Sequence, residues 1–351
     1  MVKIQILKQR MMRLLNLKGR SSHYIQIGIT IIFVILVNRS LTSVEIGNLL
    51  KSINPSALIF ASLLSIAAIM VQAFRWYLIS RTLTIPLSYT VALQRLLWGN
   101  LLAFVTPGHV GELFRGIDLC PSKKMIMVFS ALADRLFGNV AVVLFAVPVV
   151  MIQLFWLHRS IPVYLSVAIL VTTILILLIF VLLKFQIKWY NYLPSKFVSP
   201  ISGFIEIVNK LDIGLITLLS IVHHALLIVQ ASFLIRTFVE VSFSEGIIIS
   251  VLAYVCMLFL PISIANIGIR EYSFTLFLSV VALPGSSIFT IPAISFGVSS
   301  ILLFLNIIIP ALAGLFWRII PFLGRRRSKT DSVIDLMRLQ SNNLSKEKGF
   351  N

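Results

Sequence analysis

Residues 104–116 read FVTPGHVGELFRG, and they break an apolar run with a Pro-Gly turn followed by a carboxylate and a guanidinium. Thr is a favoured N-cap, Pro suits the first helical position, and Gly lets backbone come close to a partner. The spacing therefore predicts a loop feeding a short helix over Val105 to Arg115, with Gly108 at the turn. A helix N-terminus presents unpaired N–H groups and partial positive charge, so this start is a ready anion site. Glu112 and Arg115, three residues apart, share a face of that helix. Two readings follow: they neutralise each other as a structural pair, or they meet a ligand.

The surroundings of this stretch set the fold class. Mean hydropathy is +1.00, 58% of residues are hydrophobic and only 12% are charged, far from the composition of a soluble domain. The chain reads as all-α, a polytopic transmembrane helix bundle. About 20 apolar residues cross about 30 Å of hydrocarbon. On that measure the candidate spans are Tyr24–Val37, Ser56–Phe74, Leu136–Trp156, Ile161–Leu183, Ile213–Ile235, Gly246–Leu260, Tyr272–Leu283 and Ile288–Trp317, giving seven or eight crossings. The first 20 residues are charged and show no small-residue cleavage pattern, so no signal peptide is expected.

Lys and Arg placement gives the orientation. The first 20 residues carry Lys3, Lys8, Arg10, Arg13, Lys18 and Arg20 without an acidic residue, and the tail after Gly324 is also basic. Both termini are expected to be cytoplasmic, in a cell membrane. The organisation predicted is a basic N-terminus over 1–20, a membrane domain over 21–323 and a basic, disordered tail over 324–351. The net charge of +18 then reflects loops facing anionic headgroups rather than nucleic acid. Between the fourth and fifth spans, Phe204, Ile205, Val208 and Leu211 recur at helical spacing, which predicts an interfacial helix.

A second interruption lies at Pro261 to Glu271, PISIANIGIRE. With Pro86 to Arg115 it makes two broken or re-entrant elements, one in each half of the chain. Irregular backbone in lipid needs protein or a watery cavity to satisfy it. Paired Gly/Pro-interrupted segments are also how transporters flag a central site, through an inverted repeat in many folds. Charges concentrate near both interruptions: Glu112 with Arg115, Asp134 with Arg135, and Arg270 with Glu271. Each is costly at the bilayer centre, by roughly 2.5 to 3.5 kcal/mol on insertion scales, and that favours a polar cavity. A position nearer the interface lowers the cost and favours a structural role. Asn100 and Asn266 add polar groups beside the two breaks.

Cys120 and Cys256 have no metal-like spacing, no metal or cofactor is expected, and Trp76, Trp98, Trp156, Trp189 and Trp317 read as interfacial anchors. His223 and His224 point about 100° apart on a helix, so with Gln230 they are expected to make helix-packing hydrogen bonds rather than a proton relay.

Taken in order, Arg75-Trp76, Asn100, TPGHVGELFR, Asp134-Arg135 and GIRE resemble the lysylphosphatidylglycerol synthase transmembrane, or flippase-like, family. The most specific pieces are Pro107-Gly108 with Gly111-Glu112 and Arg115, then Gly268 to Glu271. Where family members tend to have Gly-Gly, this sequence has Ala265-Asn266. The resemblance implies movement of a phospholipid or lipid-linked headgroup between leaflets, the lipid being anionic, aminoacylated or polyprenyl-linked. It also implies that headgroup chemistry belongs to a separate lipid-modifying enzyme, since the aminoacyl-transferase half is absent from this sequence. On that reading Arg115 and Arg270 hold a phosphate, helped by Gly108, while Glu112, Asp134 and Glu271 orient them. The rivals are an integral membrane transferase acting on a lipid phosphate and a membrane scaffold for an envelope or glycolipid enzyme. No Asp-rich metal motif or Gly-x-x-x-x-Gly-Lys-Ser/Thr segment supports metal-dependent transfer or nucleotide-driven pumping.

Overall fold

Side-chain size along residues 55–82 decides which side of that helix meets lipid. Ile59, Leu63, Ile66, Met70 and Phe74 are exposed along one stripe, while Ala61, Ser65, Ala68, Arg75 and Trp76 are buried along another. Bulky apolar groups outward and small groups inward is the arrangement of a helix packed inside a membrane, where close approach rather than water exclusion drives association. In the computed structural model this helix, α1, spans Pro55–Thr82. Asn54 caps it by accepting the Ser56 N–H at 3.0 Å, and Pro55 occupies the first turn. The structure describes residues 51–83, 85, 87–106, 109–119, 124–152, 195–259, 263, 265–281 and 290–317, with isolated positions at 48, 171 and 174.

The described elements are all helical. After α1 come α2 (Tyr89–Val105), a 3₁₀ turn (Val110–Phe114), α3 (Lys124–Ile152), α4 (Ser195–Lys210), α5 (Ile213–Phe238), α6 (Phe243–Phe259), α7 (Ile269–Val281) and α8 (Ile291–Trp317). Four of them, α1, α3, α5 and α8, are long and apolar enough to cross a membrane. Helix α1 packs on α5, α5 packs on α3 and α6, and α7 packs against both α6 and α8. The expected span Tyr24–Val37 lies outside the described residues, as does Ile161–Leu183 apart from Val171 and Ile174, and so do the basic N-terminus and tail.

Two boundaries differ from the sequence reading in a way that matters. Helix α1 continues to Thr82, so Arg75 lies inside it, and α3 begins at Lys124, so Asp134 and Arg135 lie within the helix rather than at its entrance. A hydropathy window ends at a charge, whereas a helix continues when the charge has a partner inside the bundle. The tryptophan reading also needs correction for Trp76. That ring is fully buried and sits under a guanidinium rather than at an interface.

Helix α4 forms where the sequence predicts an interfacial helix. Ile205, Val208 and the following Leu211 are buried, Phe204 meets Phe129 of α3 edge-on at 6.0 Å, and Glu206 pairs with Lys210 on the exposed side. The opposite packing problem, polar groups inside the bundle, is solved by hydrogen bonds. Gln230 of α5 donates to the Ala61 carbonyl at 2.9 Å and accepts from Asn306 Nδ2 at 2.9 Å. Asn306 lies in a π-helical turn, Phe304–Ile308, that interrupts α8, and Ser65 Oγ donates to the Leu305 carbonyl there. His223 Nδ1 donates to the Ala68 carbonyl at 2.9 Å, and His224 Nδ1 donates to Ser220 O of its own helix at 3.0 Å. The expectation for His223 and Gln230, hydrogen bonds that tie helices, describes what is found.

Candidate functional site

At the first interruption the local geometry is tighter than the helix the sequence predicts. The short element is a 3₁₀ turn of five residues, and Thr106 does not cap it as an N-terminal residue would. Instead Thr106 Oγ1 donates to the Leu102 carbonyl at 2.7 Å and accepts the Gly111 N–H at 2.7 Å, which folds the turn back onto the end of α2. His109 precedes the turn with φ 57, a left-handed conformation that costs a non-glycine residue roughly 1 kcal/mol or more. Gly111 follows, and any Cβ there would collide with the Leu102 backbone. Such a turn has no helix N-terminus of the kind that gathers an anion. Pro107 and Gly108 lie outside the described residues.

From this turn the charged residues run inward. Glu112 accepts from Arg115 Nη1 at 3.0 Å and from Gln72 Nε2 of α1 at 3.3 Å. Arg115 Nη2 reaches Asp134 Oδ2 at 2.7 Å, and the other carboxylate oxygen of Asp134 accepts Arg75 Nε at 2.5 Å. Arg75 Nη1 continues to Ser220 Oγ of α5 at 2.8 Å, and the Arg115 guanidinium lies 4.6 Å from the Trp76 ring centroid. Arg75, Arg115 and Asp134 are buried. Two cations and two carboxylates thus form a charge-balanced chain that joins α1, the 3₁₀ turn, α3 and α5. Balance is what makes such burial tolerable, because each ion's lost hydration is returned as short, charge-assisted hydrogen bonds. Arg115, placed by sequence at a headgroup, has both terminal nitrogens on carboxylates. Asn100 lies on α2 next to Gly99, whose backbone packs against the Arg115 side chain.

The second interruption is arranged differently. Ala265 and Asn266 have φ 51 and 56, and Gly268 has φ 86. The left-handed backbone is accompanied by a bond from Arg270 Nη2 to the Ala265 carbonyl at 3.3 Å, and Nη1 donates to the Ser299 carbonyl of α8 at 3.4 Å. Glu271, adjacent in sequence, points elsewhere. It accepts the Gly268 N–H and caps the first turn of α7, the reciprocal half of a capping box. Of the three buried arginines among the described residues, Arg75 and Arg115 pair with a carboxylate, and Arg270 bonds only to backbone carbonyls. Ser299 Oγ, on the residue whose carbonyl Arg270 bonds, and Ser263 Oγ and Asn266 Oδ1, a few residues earlier in the chain, are buried without a hydrogen-bond partner.

The two interruptions meet electrostatically. Burial, then the charges of Arg270 and Arg135, push the His109 imidazole down to about 4, so the ring is neutral at physiological pH. Arg135 Nη1 also donates to the His109 carbonyl at 3.4 Å. The same local device appears in both breaks: a left-handed residue, a β-branched residue and a buried glycine, as His109-Val110-Gly111 and Asn266-Ile267-Gly268. Among the described residues no three His, Cys, Asp or Glu side chains gather as a metal site.

A family model described as the lysylphosphatidylglycerol synthase TM region matches residues 24–309. The chain belongs to that family. No curated protein and no solved structure matches it. Within the lysylphosphatidylglycerol synthase TM region, the positions where Gly-Gly was expected, Ala265 and Asn266, keep the backbone that glycine adopts freely. Restoring glycine should therefore relieve strain. Ala265→Gly is expected to stabilise the protein by up to about 1 kcal/mol, the left-handed cost less the extra freedom glycine has when unfolded. Ala265→Val should destabilise it, and thermal unfolding in detergent would order the three proteins.

Sequence reasoning passed over Gln72, Ser220, Ser263 and Ser299. The first had a signal, since Gln72 and Arg75 stand three apart in an apolar helix and so share a face. Ser220 and Ser299 carried none, because a lone serine in a membrane helix ordinarily bonds back to its own helix, whereas Ser263 lies in the second interruption itself.

Proposed function

We propose that this membrane protein moves a phospholipid or lipid-linked headgroup between leaflets, with the two interrupted elements forming the walls of its path. The supporting observation is Arg270: a buried guanidinium without a carboxylate partner, beside unpartnered polar side chains and near the other break. An intramembrane charge that no carboxylate hydrogen-bonds points to a pathway or ligand. On this reading Arg270, Asn266 and the His109 turn, with Arg135, face the headgroup. Arg115, Glu112 and Asp134 hold the turn in place, Glu271 shapes the α7 start, and Asn100 backs the turn from α2. The chain acts as a translocator in the cell membrane with both termini cytoplasmic.

The test is leaflet exchange of fluorescent phospholipids in proteoliposomes, scored by quenching from outside. Wild-type protein is expected to speed exchange at least tenfold over protein-free vesicles, and Arg270→Gln to return it near background. Lys210→Gln, on the exposed face of α4, serves as a control that keeps the wild-type rate. A wild type that exchanges none of the anionic, zwitterionic and aminoacylated lipids would overturn the reading.

A further inference from the structure

The ends of α1 and α3 and the inner side of α4 enclose a groove of about 480 Å³, and none of its residues belongs to either break. Leu83, Met125, Ile126, Phe129 and Ile207 make its walls apolar. Helices α1 and α3 are both long enough to cross a membrane, and the groove lies where α1 ends and α3 begins. It therefore opens at the level where hydrocarbon meets headgroups.

The polar groups along the groove already have partners. Thr82 Oγ1 donates to the Leu78 carbonyl of its own helix at 3.0 Å, and Glu206 pairs with Lys210 at 2.6 Å. A water held there would need polar partners that the walls lack, and a polar ligand would lose its hydration without compensation. A hydrocarbon chain incurs neither cost, and the volume is of ligand size, within roughly 300–1,000 Å³. Gly203 keeps the space open. A Cβ there faces Phe129 Cε2 at an ordinary 3.6 Å, so a methyl fits, whereas a large side chain would enter the groove.

The mouth is basic. Arg81 precedes Thr82 and Lys124 precedes Met125, and both are exposed. Two carboxylates lie on the same side of the molecule: Glu206, paired with Lys210, and Asp212, which caps α5 by accepting the Leu215 N–H at 3.0 Å. With both counted against Arg81, Lys124 and Lys210, one positive charge remains in excess, and basic residues at this level attract the phosphates of the bilayer surface.

We propose that this groove is a site for a bound phospholipid, with one acyl chain lying between α3 and α4 and the phosphate beside Arg81 and Lys124. The site is distinct from the translocation path and stands whether or not the chain moves lipid.

The experiment places the full-length protein in phosphatidylcholine vesicles containing a trace of phosphatidic acid with a mid-chain diazirine, irradiates them and maps the labelled residues by peptide mass spectrometry. Labelling at Met125, Ile126 and Phe129 is expected to exceed that at Ile59, Leu63 and Ile66, the outward stripe of α1, at least fivefold. Gly203→Phe should bring the groove down to the level of the stripe, while Gly203→Ala leaves it unchanged. Arg81→Gln combined with Lys124→Gln should lower groove labelling at least threefold, and so should the matching diazirine diacylglycerol, which lacks the phosphate. Wild-type labelling of the groove no stronger than that of the stripe would show bulk lipid alone and overturn the proposal, as would undiminished labelling in Gly203→Phe. Equal labelling by the diacylglycerol, or by phosphatidic acid in the Arg81 and Lys124 variant, overturns the phosphate contact. Both of these measurements use exposed positions or the wild-type protein, so they decide even if Gly203→Phe fails to insert.

Discussion

Asp134→Asn is expected to be the most destabilising conservative substitution in the protein. Asp134 is fully buried, and its two oxygens accept Arg75 Nε and Arg115 Nη2. Removing one partner of a single buried pair costs about 3–5 kcal/mol because the other charge is stranded. Here one substitution strands Arg75 and leaves Arg115 with Glu112 alone, so the loss should reach the upper part of that range. Unfolding in mixed micelles of increasing denaturing detergent would measure it. Electrostatic stranding makes a further claim that simple cavity formation does not: adding Arg75→Gln to Asp134→Asn should restore part of the lost stability. If the two losses merely add, the chain from Glu112 to Ser220 is not a coupled unit, since coupling is what a double-mutant cycle detects.

Gly111→Ala should have the largest effect on transport for the smallest change in mass. The added methyl would run into the Leu102 backbone and lie 2.7 Å from Thr106 Oγ1, and neither can rotate away as a flexible side-chain end can. The 3₁₀ turn must then lift from α2, breaking the Thr106 to Gly111 bond and moving His109 relative to Arg270. Exchange is expected to fall more than tenfold in protein that still inserts, because a displacement of about 1 Å at a site can cost roughly a hundredfold in rate. Gly203→Ala makes the comparison: a Cβ there meets only Phe129 Cε2, at an ordinary 3.6 Å, so both stability and exchange should stay near wild type. Normal exchange by Gly111→Ala would mean that the turn's position is irrelevant to the path.

Much of the architecture was legible because membrane helices obey one-dimensional rules. Apolar runs marked α1, α3, α5 and α8, and the spacing of Ile205, Val208 and Leu211 marked the helix α4. What escaped was the partner of each charge. Glu112 and Arg115 could be paired from their separation of three, but nothing in the order of residues announces that Asp134 stands between Arg75 and Arg115, or that Glu271 caps α7 instead of pairing with Arg270. Those facts depend on helix rotation and depth, which packing sets. The left-handed turns were hidden for a related reason. Glycine would have advertised them, whereas His109, Ala265 and Asn266 adopt that backbone only under tertiary constraint.

The shared carboxylate of Asp134 also bears on how this protein can change over evolutionary time. A residue that neutralises two others cannot be replaced alone, and neither Arg75 nor Arg115 can drift to a neutral residue without leaving the remainder out of balance. The permitted routes are paired replacements, or none. Arg270, bonded to the Ala265 and Ser299 carbonyls, can be replaced without stranding a hydrogen-bonded carboxylate. Within one fold, then, the ion-pair scaffold would be inherited as a block.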